Sequence, residues 1–409
     1  MILYGIGFII LLIILFFLYI RIRYQFWALQ PVFHFYDLYY WIVNVGIIRH
    51  DLPEKNRYTN FNNITTKPFE NIKEQSLRES ILLIQLNYLR NKENTYNPKK
   101  ENIVPYFIGH NSKTYWTFYL EPELLLDDKT GKTIEEKTLI GIITCRPLHV
   151  IIMDSVKDNN SEMDVYYVDY LCVKKNYRKK NIAPQLIQTH EYNQSHLNKK
   201  ISVSLFKREE ELTGIIPLTV YKSYCFDMKN WIIPPILDAR ITMLTGDKQN
   251  MYYFYNFLIE TTNKNKNKKK FEIVIYPEIS NIIELVTSKN LYVKMLIVNG
   301  VIEAIYIFKK TCTFIKKDKE IISLIASILK EDSVLTKNEF IHGCKVALWS
   351  IIKDQNNFAY LLVEDISDNR YIINNLSLKT HPLIISPMAY FFYNFAYSPF
   401  KSEKCLIIN

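Results

Sequence analysis

The chain has 409 residues, a formal net charge of +10 and 48% hydrophobic residues. That length and apolar content suffice for two packed domains and exclude a chain disordered throughout. A basic balance suits nucleic acid, anionic lipid or a phosphorylated ligand, but no zinc-finger spacing or RNA-recognition signature is present, so nucleic acid is not expected as a partner. The six cysteines form no C-x-x-C pair and read as reduced thiols facing the cytosol. The eight histidines form no H-x-x-x-H pair or Cys/His cluster, so no metal site is expected.

Ile2 to Ile20 is apolar and uncharged. As a helix it spans roughly 28 Å, about one hydrocarbon core. Arg21 and Arg23 follow it, and no A-x-A cleavage site does. The expectation is an uncleaved single-pass anchor (residues 1–21) with the globular body on the cytosolic side. Tyr24 to Trp41 is crowded with aromatics that suit a membrane interface.

Gln75 to Leu89 has the apolar spacing of an amphipathic helix, and Arg90 to Asn102 reads as a polar loop. Leu139 to Arg146, Val150 to Asp154 and Tyr166 to Val173 read as strands, with a hairpin turn at Asp127 to Thr133 and Gly131 at its tip. Ala183 to His196 reads as a helix with Pro184 in its first turn. Thr261 to Lys270 is a solvated Lys/Asn run. Further strands are expected at Glu272 to Tyr276, Val293 to Asn299, Val301 to Lys309 and Ala359 to Val363, with a helix at Glu339 to Lys353. Asn299-Gly300 is a strong hairpin signal. The alternation predicts two mixed α/β halves meeting near residue 235, at 22–235 and 236–409.

The chemistry centres on Val168 to Pro184. A buried strand, Val168 to Val173, enters a basic loop that carries Arg178, Lys179 and Lys180, and the loop enters a helix start. The open N–H groups and positive pole of a helix start favour phosphate, so an anionic ligand with a pyrophosphate suits the site. A plain basic surface turn has the same composition.

The R-x-x-N-x-A step resembles the pyrophosphate loop of the acetyltransferase (GNAT) superfamily. The longer stretch is similar to the F-L-C-V-x-K-x-x-R-x-K-R-x-A-P segment of the N-myristoyltransferase family, matched by Tyr170, Leu171, Cys172, Val173, Lys175, Arg178, Lys180, Ala183 and Pro184. Asn181 replaces a basic residue of that segment. Tyr24-Gln25-Phe26-Trp27 with Gln30-Pro31-Val32 resembles the family's Y-x-F-W-x-T-Q-P-V. Tyr393-Asn394-Phe395, Ser402-Glu403-Lys404 and the apolar end to Asn409 resemble its C-terminus.

The resemblance implies tandem acetyltransferase-like halves behind one transmembrane helix. It implies transfer of a fatty acyl group from myristoyl-CoA, a co-substrate rather than a permanent cofactor, to the N-terminal glycine of a protein or peptide. Acyl-CoA contacts would fall on Tyr24 to Trp27, Leu171 to Val173 and Arg178, Lys179, Lys180, Asn181, Ile182, Ala183 and Pro184. The backbone N–H groups of Tyr170 and Leu171 would form the oxyanion hole, and the terminal carboxylate of Asn409 would be the base.

The peptide-reading features depart. Asn87-Tyr88 is followed by Leu89-Arg90-Asn91-Lys92-Glu93-Asn94 where the family has an acidic loop. Acidic acceptors are expected in consequence. Cys225 stands where the family has a histidine, either as an acyl-accepting thiol or as a small core residue. The family's G-D-G has no counterpart between Leu376 and Tyr390. An acyl-CoA-binding membrane scaffold without turnover is the other reading.

Overall fold

The computed structural model describes residues 2–42, 45–88, 94–126, 133–153, 160–209, 214–262, 270–315, 319–355 and 357–409. Gly131, Arg90, Lys92, Asp154 and most of the Thr261–Lys270 run lie outside the described residues.

The apolar N-terminal run forms one helix, Ile2–Arg23, with Arg21 and Arg23 in its last turn. Most of its large side chains are exposed, Ile10, Leu12 and Phe17 among them, while Ile20 near its end is buried. Among the described residues it is the one helix long and apolar enough to cross a membrane.

The body is a mixed α/β structure built on one large sheet, fifteen-stranded among the described residues. One end runs Cys405–Ile407, Ile273–Tyr276, Thr133–Met153, Asn160–Val173 and Ser204–Glu209. It continues through Ile384–Tyr393, Thr219–Asp227, Phe358–Glu364, Lys319–Leu329, Val301–Ile315, Leu291–Val298 and Ile241–Thr245. Strands from early and late in the chain therefore alternate across the sheet.

Asn160–Val173 and Ser204–Glu209 pair in parallel only over Tyr166–Val168 and Ser204–Phe206. Beyond Val168 the two strands part, and the opened wedge is where the site lies. Helix Ile182–Leu197 supplies the crossover between them, as a parallel pair requires. It packs closely on the sheet: a Cβ on Gly141 would come within 2.8 Å of the Leu186 side chain.

The amphipathic helix forms at Glu74–Asn87, burying Leu77, Ile81 and Ile84. Helix Lys337–Asp354 starts at a capping box, where Thr336 and Glu339 each accept the other's backbone N–H. The Asn299-Gly300 turn has φ of 51° and 79°, and it joins Leu291–Val298 to Val301–Ile315 with Val298 opposite Val301. Two positive φ values at a two-residue loop are what a primed hairpin turn needs.

Two sequence expectations are corrected. The strands at Leu139 to Arg146 and Val150 to Asp154 are one strand, Thr133–Met153. Pro147 sits where pairing on one flank passes from Tyr115–Leu126, which ends opposite Cys145, to Ile273–Tyr276, which begins opposite His149. The proline marks a change of partner, not the end of a strand. Within the expected loop at 90–102, Asn94–Tyr96 is a strand paired with Thr313–Ile315, and Lys100–Ile103 is a helical turn. Their partners are distant in sequence, so local periodicity carries no sign of them.

Candidate acyl-CoA and transfer site

The basic loop leaves strand Asn160–Val173 through a short 3-10 turn at Lys175–Tyr177. Lys179 and Asn181 adopt left-handed φ of 65° and 58°, and helix Ile182–Leu197 follows directly. The Asn181 side chain makes no capping bond, and the first turn has no acidic residue. The helix start therefore keeps its preference for an anion.

Arg178 holds the loop together. Its Nε donates to the Val173 carbonyl at 3.2 Å and its Nη2 to the Asn87 carbonyl at 2.5 Å. The Lys180 ammonium lies 4.9 Å from the centroid of the Tyr177 ring. Arg178, Lys179, Lys180 and Asn181 are all exposed.

Just before the loop the ladder is irregular. Ile142 pairs with Cys172 and Thr144 with Asp169, so Tyr170 and Leu171 together oppose Ile143. This is a β-bulge, and Tyr170 takes a left-handed φ of 43° in it. The Tyr170 N–H donates to Asp169 Oδ1 at 3.2 Å. The Tyr170 ring packs against Tyr88, centroids 5.6 Å apart, and its hydroxyl lies 3.0 Å from that of Tyr96.

The bulge faces a cavity of about 750 Å³. Of the residues singled out in the sequence, Phe26, Trp27, Tyr88, Tyr170, Leu171, Ala183, Pro184 and Asn409 line it. Tyr24 and Gln25 stand just past the N-terminal helix, outside the lining. Cys172 is buried against the Leu83 carbonyl, and Val173 and Ile182 pack together in a neighbouring cluster, so these three support the site from behind. Arg178, Lys179, Lys180 and Asn181 are also outside the lining, on the exposed loop.

Cys225 is not part of the cavity. It is buried with Ile321 and Tyr360, and burial pushes its thiol up to about 11. This enclosure fits the second of its two readings, a small core residue.

The two ends of the chain meet at the cavity. The Tyr393 hydroxyl donates to Gln30 Oε1 at 2.7 Å, and the Asn394 N–H donates to the Pro31 carbonyl at 2.6 Å. Trp27 stacks on Phe206, centroids 5.8 Å apart. The terminal strand Cys405–Ile407 lies parallel to Ile273–Tyr276, with Leu406 and Ile408 fully buried. Asn409 is 5% exposed. Its Nδ2 donates to the Tyr390 hydroxyl at 2.9 Å, and Lys309 Nζ donates to its main-chain oxygen at 3.1 Å.

A buried polar group completes the wall. Lys207 Nζ pairs with Glu364 Oε1 at 2.9 Å, and the Tyr221 hydroxyl donates to Glu364 Oε2 at 2.7 Å. Burial pulls Lys207 down, but Glu364, Tyr390 and Glu209 together outweigh it and the ammonium is held above its ordinary range. Sequence reasoning missed Lys207, Lys309 and Glu364. A signal was present: each charge closes an apolar strand run, as in Leu205-Phe206-Lys207, Ile307-Phe308-Lys309 and Leu362-Val363-Glu364.

Residues 55–213 match the family model described as Myristoyl-CoA:protein N-myristoyltransferase, N-terminal domain. Over this stretch the chain is similar to the N-terminal domain of that family. The N-myristoyltransferase fold extends over nearly the whole chain. The crystal structure of Saccharomyces cerevisiae N-myristoyltransferase with bound myristoyl-CoA is similar with a TM-score of 0.68 and 14% identity, over 92% of this chain and 94% of that one. A second yeast structure, with bound myristoyl-CoA and inhibitors, gives 0.69 at 14% identity, over 92% and 91%. A tandem GNAT protein from the clavulanic acid biosynthesis pathway gives 0.52 at 9% identity, over 82% of this chain and 100% of that one. No curated protein sequence matches the chain.

Proposed function

We propose that the chain transfers a fatty acyl group, with myristoyl-CoA as donor, to the N-terminal glycine amine of a protein or peptide. One observation carries this reading: the bulged Tyr170–Leu171 segment and the buried end at Asn409 face the same cavity. In the proposed reaction the amine gives a proton to the Asn409 carboxylate and attacks the thioester carbonyl. The N–H groups of Tyr170 and Leu171 receive the developing oxyanion, the C–S bond breaks and CoA leaves as the thiolate. Half 22–235 holds the acyl-CoA, its pyrophosphate on the Arg178–Pro184 loop, and half 236–409 supplies the carboxylate.

The scaffold reading draws on the same bulge, because the Tyr170 N–H already has Asp169 as its acceptor. Incubation of the full chain with labelled myristoyl-CoA and glycine-initiated peptides separates the two. Transfer is expected; acyl-CoA binding with no transfer to any peptide rejects the enzyme. In the same preparation, Arg178→Ala with Lys180→Ala is expected to weaken acyl-CoA binding by about 1.5–3 kcal/mol for each phosphate hydrogen bond removed. Calorimetry that finds wild-type affinity in this variant contradicts the loop assignment.

The helix Ile2–Arg23 we propose as a single membrane anchor, with the body on the cytosolic side because the arginines follow the span. On sealed microsomes, protease should digest the body. A protected body, or a mature chain starting after residue 20, rejects this topology.

A further inference from the structure

We propose that Lys309 is a positioning residue for the reacting carboxyl group, holding the end of Asn409 against the cavity wall where an acceptor amine must meet it. This inference rests on the acyl-transfer reading above. Lys309 projects from strand Val301–Ile315, half-buried, with its Nζ 5.1 Å from the Tyr106 ring centroid. Two hydrogen bonds hold Asn409 among the described residues, and only the one from Lys309 reaches the terminal group itself. The other fixes the side-chain amide on Tyr390.

A carboxylate on a residue as buried as Asn409 loses much of its hydration, and an adjacent cation offsets that loss and keeps it ionised. It also fixes the oxygen in place. Proton transfer and attack need the amine, the carboxylate and the thioester aligned together, so a small displacement is costly.

The pair responds to pH. Burial pushes Lys309 down, to about 8, while Asp169 and Glu364 act upward and Arg146 and Lys207 downward. Tyr106 and Cys312 are also titratable neighbours of the ammonium. A carboxylate at 3.1 Å favours the ammonium further and raises the pH at which Lys309 loses its proton. On the alkaline side of that titration Lys309 gives up its proton, the hold on Asn409 is released and transfer falls.

The test uses the full chain with Lys309→Met and Lys309→Arg. It reads kcat and KM for a glycine peptide, acyl-CoA affinity, the pH profile and the rate at which carboxypeptidase releases Asn409. Lys309→Met should lower kcat by about 100-fold, the scale of misplacing a reacting group by about 1 Å. Acyl-CoA affinity should stay as in the wild type, the alkaline limb should vanish and Asn409 should be released faster. Lys309→Arg should restore most of kcat and move the limb to higher pH. A Lys309→Met chain with wild-type kcat and an unchanged limb overturns the inference and leaves acyl transfer standing. If Lys309→Met does not fold, an unmoved limb in Lys309→Arg overturns it equally. A wild-type chain that binds acyl-CoA and acylates no glycine peptide overturns the enzyme reading and this inference together.

Discussion

Removing Asn409 is expected to abolish acyl transfer while acyl-CoA binding stays close to wild type. Deletion withdraws the terminal carboxylate by up to ~3.5 Å, one extended residue. It would then fall at Ile408, whose side chain is fully buried and whose N–H donates to the Ile275 carbonyl at 2.8 Å. From there it is out of hydrogen-bond reach of an amine in the cavity. The pyrophosphate loop, on a different segment, is untouched. A C-terminal tag should have the same effect, because it turns the carboxylate into an amide that cannot accept the proton. Single-turnover transfer and acyl-CoA binding, measured side by side on wild-type, truncated and tagged chains, give the answer. Equal transfer rates in all three would rule out the carboxylate as base.

Glu364→Ala is expected to cost about 3–5 kcal/mol of stability, the range for removing one member of a buried ion pair. The change leaves the Lys207 ammonium enclosed without its carboxylate, and the Tyr221 hydroxyl without its acceptor. Glu364→Gln should cost less, since an amide oxygen still accepts one of these bonds. The double variant Lys207→Met with Glu364→Leu should recover most of the stability, because replacing both charges removes the desolvation penalty along with the attraction. The dependence on pH has a fixed sign. The folded-state pKa of Lys207 is raised, so its contribution is complete below the unfolded value near 10.5 and is lost as pH rises through the folded one. Urea titrations of the three variants test this. A double variant no more stable than Glu364→Ala would mean that packing, not the unpaired charge, sets the cost.

The legible part of this molecule was contiguous in the chain. The strand, basic loop and helix of Val168 to Pro184 form one unbroken stretch, so its residues identify the unit before any fold is known. The Gln30-Pro31 and Tyr393-Asn394 pairs were legible as motifs, although nothing in their spacing says that they touch. Lys207, Lys309 and Glu364 each carry a local mark, a charge closing an apolar run, but that mark does not say that three strands far apart in sequence bring them to one wall. Asn94–Tyr96 was missed for the same reason, since its partner is the far end of Val301–Ile315. The Tyr170 bulge is hidden because Tyr170, Leu171, Cys172 and Val173 are all apolar, so there is no alternation for the extra residue to interrupt.

The clasp between the chain ends has a consequence for how the protein is made. Gln30 and Tyr393 are 363 positions apart, and strand Cys405–Ile407 closes one end of the sheet. During synthesis the first half emerges long before the strands that separate its own strands in the sheet. Ser204–Glu209 and Thr219–Asp227 must wait for Ile384–Tyr393, which fits between them. Until then both present open edges, which are templates for wrong pairing. Pairing over such sequence distances is slow, so folding should finish only after release from the ribosome. A nascent chain interrupted before its last few residues would display the basic loop without the terminal group proposed as the base.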